Sequence, residues 1–145
     1  TINCFEMLGC EISLNNDLVL INGKGYKGFS KPKNEIDAGN SGTTARLLSG
    51  ILIAQNFESI IIGDESLSQR PMKRIFYPLK LMGGKIISSE NETLPLKIFP
   101  SENLIPISYE LQIPSAQVKS AILLAGLHLE EETCVIENEQ SRNHT

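Results

Sequence analysis

An internal repeat with a period of about 74 residues limits the folds that this chain can adopt. Pairs of similar segments coincide when the sequence is shifted by 74 positions, with two more residues of slip in the last pair: 8–12 on 82–86, 59–62 on 133–136, and 18–20 on 94–96. Solenoid repeats have periods of about 20–50 residues, so a longer period is typical of a duplicated supersecondary unit. Because identity between the copies is low, chance matching of amphipathic segments is the alternative, and the shared order of the segments favours duplication.

The pattern of apolar residues predicts the element order β-α-β-α-β-β for one repeat. Strands are expected where apolar and polar residues alternate or where short β-rich runs occur, and helices where apolar residues recur every three to four positions. The predicted strands are 59–63, 86–88, 94–99, 105–113 and 133–137, and the predicted helices are 42–55, 71–82 and 116–128. Pro71 is expected at the first position of its helix, where the missing N–H group is not needed.

On this template the 145 residues make up about two repeats that are cut out of phase. Thr1 enters at the second helix of one unit, and Thr145 opens the second helix of another. The predicted fold class is therefore α/β, with residues 1–145 forming one partial domain. Neither end coincides with a unit boundary, so the chain is expected to be a fragment of a longer polypeptide.

Composition and charge argue against several classes of function. Apolar residues make up 41% of the chain and charged residues 21%, as in ordinary globular proteins. The net charge of −4 argues against a nucleic-acid partner, and no apolar run is long enough to cross a membrane. Three cysteines without CxxC spacing, and two histidines far from them, give no support to a metal site. The odd number of cysteines fits a reducing compartment, so a cytoplasmic protein is expected.

Polar motifs lie at the starts of the predicted helices. The four segments are 40–46 (NSGTTAR), 69–74 (QRPMKR), 115–117 (SAQ) and 141–145 (SRNHT). Helix N-termini carry unpaired N–H groups and the positive end of the helix dipole, so they suit anions. Gly42 allows a ligand to approach the backbone closely, and the guanidinium of Arg70 fits a carboxylate or a phosphate. The sequence therefore predicts an anion site where these helix starts meet.

Each of these features also has a purely structural explanation. Asn40, Ser41 and Ser115 are residue types that commonly cap helix N-termini. The basic residues of 70–74 fit a solvated helix face, and Lys119 either extends to solvent from a mostly apolar helix or reaches an anion at the helix start. From the residues alone, a non-enzymatic α/β interaction domain whose helix caps bind no ligand stays open as an alternative.

Four longer motifs occur in order along nearly the whole chain. They are 37–47 (DAGNSGTTARL), 63–74 (GDESLSQRPMKR), 115–121 (SAQVKSA) and 141–145 (SRNHT). Together they resemble the EPSP synthases, the family of 3-phosphoshikimate 1-carboxyvinyltransferases. The sister family, the UDP-N-acetylglucosamine enolpyruvyl transferases, is less similar, particularly at the second and third motifs, and is the alternative enzyme family.

The resemblance implies a fold and a reaction. The family fold, an inside-out α/β barrel, has two similar domains of three β-α-β-α-β-β units each, with helix N-termini facing the cleft between the domains. This chain would supply most of one domain, with the remainder of the parent polypeptide as its partner. The implied reaction moves the enolpyruvyl group of phosphoenolpyruvate onto the 5-hydroxyl of shikimate 3-phosphate and releases phosphate. No cofactor, nucleic acid or membrane is implied, and a cytoplasmic monomer is expected.

The resemblance also implies roles for individual residues. On the phosphoenolpyruvate side it implies Asn40, Gly42, Thr43, Arg70 and Gln117. On the shikimate 3-phosphate side it implies Ser115, Ala116, Gln117, Ser141 and Arg142, so that Gln117 lies between the two ligands. Asn143 stands where the family motif more usually has Asp. The family's catalytic acid and base have no counterpart in this sequence, so a substrate-binding fragment without catalytic residues or metal ligands, inactive alone, is expected.

Overall fold

The computed structural model describes residues 1–139 and 141. The helices are α1 (Ile2–Met7), α2 (Gly42–Leu52), α3 (Glu65–Ser68), α4 (Lys73–Leu81) and α5 (Ala116–Gly126). The strands are β1 (Glu11–Asn15), β2 (Leu18–Asn22), β3 (Ile36–Asp37), β4 (Ser59–Ile62), β5 (Lys85–Ile87), β6 (Leu96–Phe99), β7 (Ser108–Glu110) and β8 (Cys134–Ile136). None of the helices in this described part combines the length and the apolar character needed to cross a membrane.

The order of these elements repeats along the chain. The run β3-α2-β4-α4-β5-β6 has the predicted order β-α-β-α-β-β, interrupted only by the short helix α3. Helix α5 begins 74 positions after α2, at Ala116 and Gly42, and both helices have 11 residues. The predicted α/β fold with repeated units is confirmed. Helix α3 was missed, because four residues capped by Asp64 are too short to show a helical period.

The strands form one four-stranded sheet and two pairs. The four-stranded sheet has the order β3-β4-β6-β5, in which β3 and β4 are parallel and the other neighbours are antiparallel. The pair β1-β2 is antiparallel, like β5-β6, and the pair β7-β8 is parallel, like β3-β4. Each pair therefore corresponds to one half of the four-stranded sheet.

Helices α2 and α5 pack closely against each other and thereby set the geometry of the site. At Gly50 of α2 the two backbones approach so closely that a Cβ atom would lie 2.1 Å from the carbonyl oxygen of Ala121. Any larger residue at position 50 would push α5 away, so glycine is required there. The core side chains that α2 and α5 bury are Ala45, Leu48, Leu52, Val118, Ala121, Ile122 and Ala125.

Several predicted boundaries are wrong: α2 ends at Leu52 and not at Gln55, and two other wrong boundaries lie beside a proline. Helix α4 begins at Lys73 with Met72 as its N-cap, so Pro71 lies before the helix and not at its first position. The strand predicted over 105–113 is confined to β7, and Pro106, which has no N–H group to donate to a neighbouring strand, lies just before its start. The apolar face predicted for α4 is correct, since Ile75, Phe76 and Leu79 are buried.

Candidate functional site

The start of α2 is built around a serine cap. The Oγ atom of Ser41 accepts a hydrogen bond from the N–H of Thr44 at 3.1 Å, and the Thr44 hydroxyl donates to the same atom at 2.8 Å. Ser41 thus acts as the helix N-cap, as its structural explanation predicts. The first turn beyond the cap, at Gly42 and Thr43, belongs to the part of a helix whose N–H groups lack intrahelical partners and point toward an incoming anion.

Arg70 is held against this helix start by a chain of polar side chains. Its Nη2 atom donates to Oδ1 of Asn40 at 2.7 Å and to Oγ of Ser66 at 3.2 Å. The amide nitrogen of Asn40 in turn donates to Asp64 at 2.7 Å. Asp64 caps α3 by accepting the N–H of Leu67 at 2.8 Å, and that bond, followed by the one from Asn40, holds the pKa of Asp64 below its usual value. The short helix α3 therefore fixes the guanidinium beside α2.

Arg46 joins three helix starts. Its Nη1 atom donates to Oε1 of Gln117 at 3.0 Å, and its Nη2 atom donates to the carbonyl oxygen of Pro71 at 3.1 Å. The amide nitrogen of Gln117 donates to the hydroxyl of Thr43 at 2.8 Å. Because Gln117 is in the first turn of α5 and Pro71 immediately precedes the N-cap of α4, these bonds bring the starts of α2, α4 and α5 to one place.

The site carries an excess of positive charge. The pKa of Arg46 is lowered, first by burial and then by the neighbouring charges of Arg70 and Arg74. Within residues 1–139 and 141, no carboxylate lies at salt-bridge distance from any of these three arginines, and the four ion pairs are formed by lysines elsewhere. A region of this kind attracts anions although the whole chain has a net charge of −4.

The start of α5 is connected to Ser141 through an ion pair. The Oγ atom of Ser115 caps α5 by accepting the N–H of Val118 at 3.4 Å. One turn later, Lys119 is buried and donates to Glu137 at 2.5 Å, while the hydroxyl of Ser141 donates to the other oxygen of the same carboxylate. The bonds from Lys119 and then from Ser141 hold the pKa of Glu137 below its usual value. Lys119 is thus paired inside the protein and does not extend to solvent.

The structure brings together most of the residues predicted for the two ligands. Asn40 contacts Arg70, and Thr43 contacts Gln117. Gly42 is buried between the arginines, since a Cβ atom there would lie 2.6 Å from Nη1 of Arg46 and 3.5 Å from Nη1 of Arg70. Ser115, Ala116 and Gln117 are the N-cap and the first two residues of α5. Arg142, together with Asn143, lies outside the described residues.

Arg46 is the site residue that the sequence interpretation missed. It lies inside the motif 40–46 but was assigned no role, because its helix is otherwise almost entirely apolar. The available signal was its spacing, since a residue four positions after Gly42 lies on the same helix face, one turn further on.

The donors of this site are guanidinium, amide and backbone N–H groups, which suit anions rather than metal ions. In the described part of the chain, no group of three or more His, Cys, Asp or Glu side chains is placed to hold a metal ion. The ligand chemistry that the site offers is therefore the recognition of carboxylates and phosphates.

A family model described as EPSP synthase (3-phosphoshikimate 1-carboxyvinyltransferase) matches residues 1–145. The chain belongs to the EPSP synthase family. It is 53% identical over 145 residues to the 3-phosphoshikimate 1-carboxyvinyltransferase of Leuconostoc citreum, covering 100% of this chain and 34% of that protein. It is 51% identical over 146 residues to the enzyme of the same name from Hydrogenovibrio crunogenus, covering 100% of this chain and 33% of that protein.

Solved structures of the EPSP synthase family agree with this assignment. The chain matches the EPSP synthase of Acinetobacter baumannii with a TM-score of 0.95 and 48% sequence identity, covering 99% of this chain and 33% of that one. The chain therefore spans about a third of the length of the EPSP synthases that it matches. The family resemblance and the fold class predicted from the four motifs are both confirmed.

Proposed function

We propose that this chain forms part of the substrate-binding cleft of an enzyme that transfers the enolpyruvyl group of phosphoenolpyruvate to the 5-hydroxyl of shikimate 3-phosphate. The observation that carries the proposal is the meeting of the α2 and α5 starts beside Arg46 and Arg70, where no carboxylate of the described residues forms a salt bridge with either guanidinium group. Both substrates are polyanions, so uncompensated guanidinium groups and helix N-termini are the chemistry that they require. Membership of the family supplies the reaction.

Phosphoenolpyruvate is assigned to the start of α2. The set proposed to bind it comprises Asn40, Gly42, Thr43, Arg70 and Gln117. Arg70 is a forked donor whose Nη2 atom is already fixed by Asn40, so it reaches an anion without a large loss of side-chain entropy. The absence of a side chain at Gly42 keeps the guanidinium groups of Arg46 and Arg70 close to the first turn of the helix.

Shikimate 3-phosphate is assigned to the start of α5. The set proposed to bind it comprises Ser115, Ala116, Gln117, Ser141 and Arg142. The first turn of α5 offers N–H groups and the positive end of a helix dipole to the 3-phosphate. Gln117 contacts both Thr43 and Arg46 of α2, which supports its assignment between the two ligands.

The proposed contribution of this chain to the reaction is binding and electrostatic stabilisation. Enolpyruvyl transfer needs a proton delivered to the methylene carbon and a proton removed from the attacking hydroxyl. The two carboxylates bonded to predicted site residues have other partners as well, because Asp64 caps α3 and Glu137 pairs with Lys119. We assign the acid and base groups to the part of the polypeptide outside this chain.

Residues 1–145 are proposed to be part of a single domain, with about two repeats cut out of phase. In support, each two-stranded pair matches one half of the four-stranded sheet, and the chain spans about a third of its relatives. Large apolar side chains of the β1-β2 pair are also uncovered, and Leu14, Leu18 and Leu20 are each more than 60% exposed at 63%, 64% and 64%. The free thiols of Cys4, Cys10 and Cys134 support a reducing, cytoplasmic location.

The full-length polypeptide that contains this chain provides the test. Phosphate release is measured with phosphoenolpyruvate and shikimate 3-phosphate, and in parallel with phosphoenolpyruvate and UDP-N-acetylglucosamine. The expected result is turnover of phosphoenolpyruvate with shikimate 3-phosphate and none with UDP-N-acetylglucosamine. Turnover with the UDP-sugar instead would transfer the assignment to the sister family, and no turnover with either would favour a non-enzymatic domain.

A further inference from the structure

Arg46, on α2, contacts Gln117 at the start of α5 and the carbonyl oxygen of Pro71 just before α4. We propose that Arg46 is a positioning residue that fixes the side-chain amide of Gln117, so that the NH₂ group of the amide and not its carbonyl oxygen faces the anion at the start of α2, a role that rests on the proposed function. The contacts that carry this are the bonds from Arg46 Nη1 to Gln117 Oε1 at 3.0 Å and from Gln117 Nε2 to Thr43 Oγ1 at 2.8 Å.

The donor chemistry of arginine sets the direction of the amide. A guanidinium has five N–H donors and no acceptor, whereas a glutamine amide has an acceptor at one end and two donors at the other. Arg46 therefore bonds only the oxygen end of Gln117, which turns the NH₂ end toward Thr43 and the first turn of α2. One N–H of that group donates to the threonine hydroxyl, and the second is available to an anion.

Arg46 is itself fixed from two sides. Its Nη2 atom donates to the carbonyl oxygen of Pro71, in the residue next to Arg70. The guanidinium also lies where the side chain of residue 42 would be, since a Cβ atom on Gly42 would approach Nη1 to 2.6 Å. The glycine thus makes the room in which Arg46 reaches Gln117.

The placement of Arg46 is difficult to explain by stability alone. It is partly buried beside the like charges of Arg70 and Arg74, and no carboxylate of the described residues pairs with it. Burial of a cation among cations opposes folding. Orientation of a polar group toward an anionic ligand accounts for both the location of Arg46 and its neutral hydrogen-bond partners.

Loss of Arg46 removes the constraint on the amide of Gln117. A rotated amide presents its carbonyl oxygen, the negative end of its dipole, to phosphoenolpyruvate, and the anion loses one donor and meets a repulsive group. The effect is expected in the KM for phosphoenolpyruvate more than in kcat, because the contact exists before the transition state is reached.

A double-mutant cycle in the full-length polypeptide tests this role. The variants are Arg46→Met, Gln117→Ala and the combination, with Lys80→Met as a control for removal of an exposed basic side chain on α4. Arg46→Met and Gln117→Ala are each expected to raise the KM for phosphoenolpyruvate about tenfold, and Arg46→Met is expected to add less than about threefold in the Gln117→Ala background. If the two increases multiply instead, Arg46 acts independently of Gln117 and the proposal is overturned.

Two conservative variants separate orientation from support of the fold. Arg46→Lys keeps a donor for the amide oxygen and is expected to recover part of the KM that Arg46→Met loses. Gln117→Glu keeps a partner for Arg46 but has no N–H to donate, so it is expected to bind phosphoenolpyruvate at least as weakly as Gln117→Ala. Wild-type binding by Gln117→Glu would overturn the proposal. An inactive wild-type protein would instead overturn the proposed function, so the two failures are distinct.

Discussion

The guanidinium of Arg70 is held in place beside α2 by hydrogen bonds to neighbouring polar side chains. Because Asn40 and Ser66 hold its guanidinium at 2.7 Å and 3.2 Å, its removal takes away both a charge and a prearranged geometry. In the full-length polypeptide, Arg70→Ala is expected to cost about 1.5–3 kcal/mol in kcat/KM for phosphoenolpyruvate, the range for hydrogen bonds to charged groups. Steady-state kinetics measure it, with Lys80→Ala as the matched control. Unchanged kinetics would favour the structural alternative, in which Arg70 faces solvent and binds no ligand.

Gly42 determines where the neighbouring guanidinium groups lie. Its backbone is compatible with alanine, so Gly42→Ala is expected to leave the free energy of unfolding nearly unchanged while its methyl group displaces Arg46. The KM for phosphoenolpyruvate is expected to rise about tenfold, and larger mimics are expected to lose more affinity than the substrate. Gly23→Ala is the control, because a Cβ atom there meets no atom within 4 Å. Equal losses for substrate and larger mimics would contradict a close approach at position 42.

Ser59 has a buried hydroxyl whose hydrogen-bonding capacity is not satisfied by the described residues. It is 3% exposed, and its Oγ atom has no hydrogen-bond partner among the described residues, a property shared by Thr133 one repeat later. Since an unsatisfied buried polar group costs free energy, Ser59→Ala is expected to raise the free energy of unfolding by about 1 kcal/mol. Urea unfolding of the chain measures the change. Ser41→Ala, which removes a working helix cap, is the contrast and is expected to lower stability by about 1 kcal/mol.

The short helix α3 makes the position of Arg70 sensitive to acid. Because the Leu67 N–H and the Asn40 amide lower the pKa of Asp64, this carboxylate stabilises the fold above its unfolded pKa of about 3.9. The stabilisation is lost as the pH falls through the lower pKa of the folded state. Replacement by Asn keeps an acceptor for the helix cap but removes the titration.

We therefore expect Asp64→Asn to have a shallower fall of unfolding free energy between about pH 5 and pH 2 than the wild type. Denaturant unfolding of both proteins across this range measures the slopes. Parallel curves for the two proteins would show that Asp64 has the same pKa in the folded and unfolded states.

The 74-residue shift predicts the alignment of most elements of the two repeats, with one strand as the exception. The 74-residue shift places α2 on α5 correctly, because a long buried helix specifies its own position through its apolar stripe and its serine cap. Strands β1 and β4 also align with β5 and β8 under this shift, but β2 does not align with β6 at the predicted position. Ile12 pairs with Ile21 and Ile86 pairs with Ile98, so β2 corresponds to β6 with a shift of 77 and not 76. Short apolar strands match in more than one register, and the turn between them decides the register.

Local patterns predicted the cluster of helix starts but not the hydrogen bonds that connect them. The capping residues and Arg70 are visible in the sequence because each has a local signature at a helix start. The bonds from Arg46 to Gln117 and Pro71 join residues 71 and 25 positions apart. Such contacts depend on the packing of α2 against α5, where Gly50 allows the close approach, and no local pattern encodes them.

At the scale of the whole molecule, this chain alone differs from the complete proposed cleft in two respects: the dielectric around the ligands and the catalytic groups that are present. The chain alone keeps the helix dipoles of α2 and α5 and the arginines beside them, but its ligands would lie open to water, where each charged contact is weaker. Enolpyruvyl transfer also requires acid and base groups and the exclusion of water, and we propose that the rest of the polypeptide supplies them. We expect the 145-residue chain to bind weakly and to catalyse nothing.

Two measurements on the purified chain decide this expectation. Titration with shikimate 3-phosphate, followed by amide NMR, is expected to shift the signals of Ser115, Gln117 and Ser141, with an affinity weaker than that of the full-length polypeptide. The release of phosphate from phosphoenolpyruvate is expected to stay at the level of buffer in the presence of both substrates. Turnover above that level would mean that an acid and a base lie within this chain, and Asp64 and Glu137, the carboxylates bonded to Asn40 and Ser141, would be the first to replace.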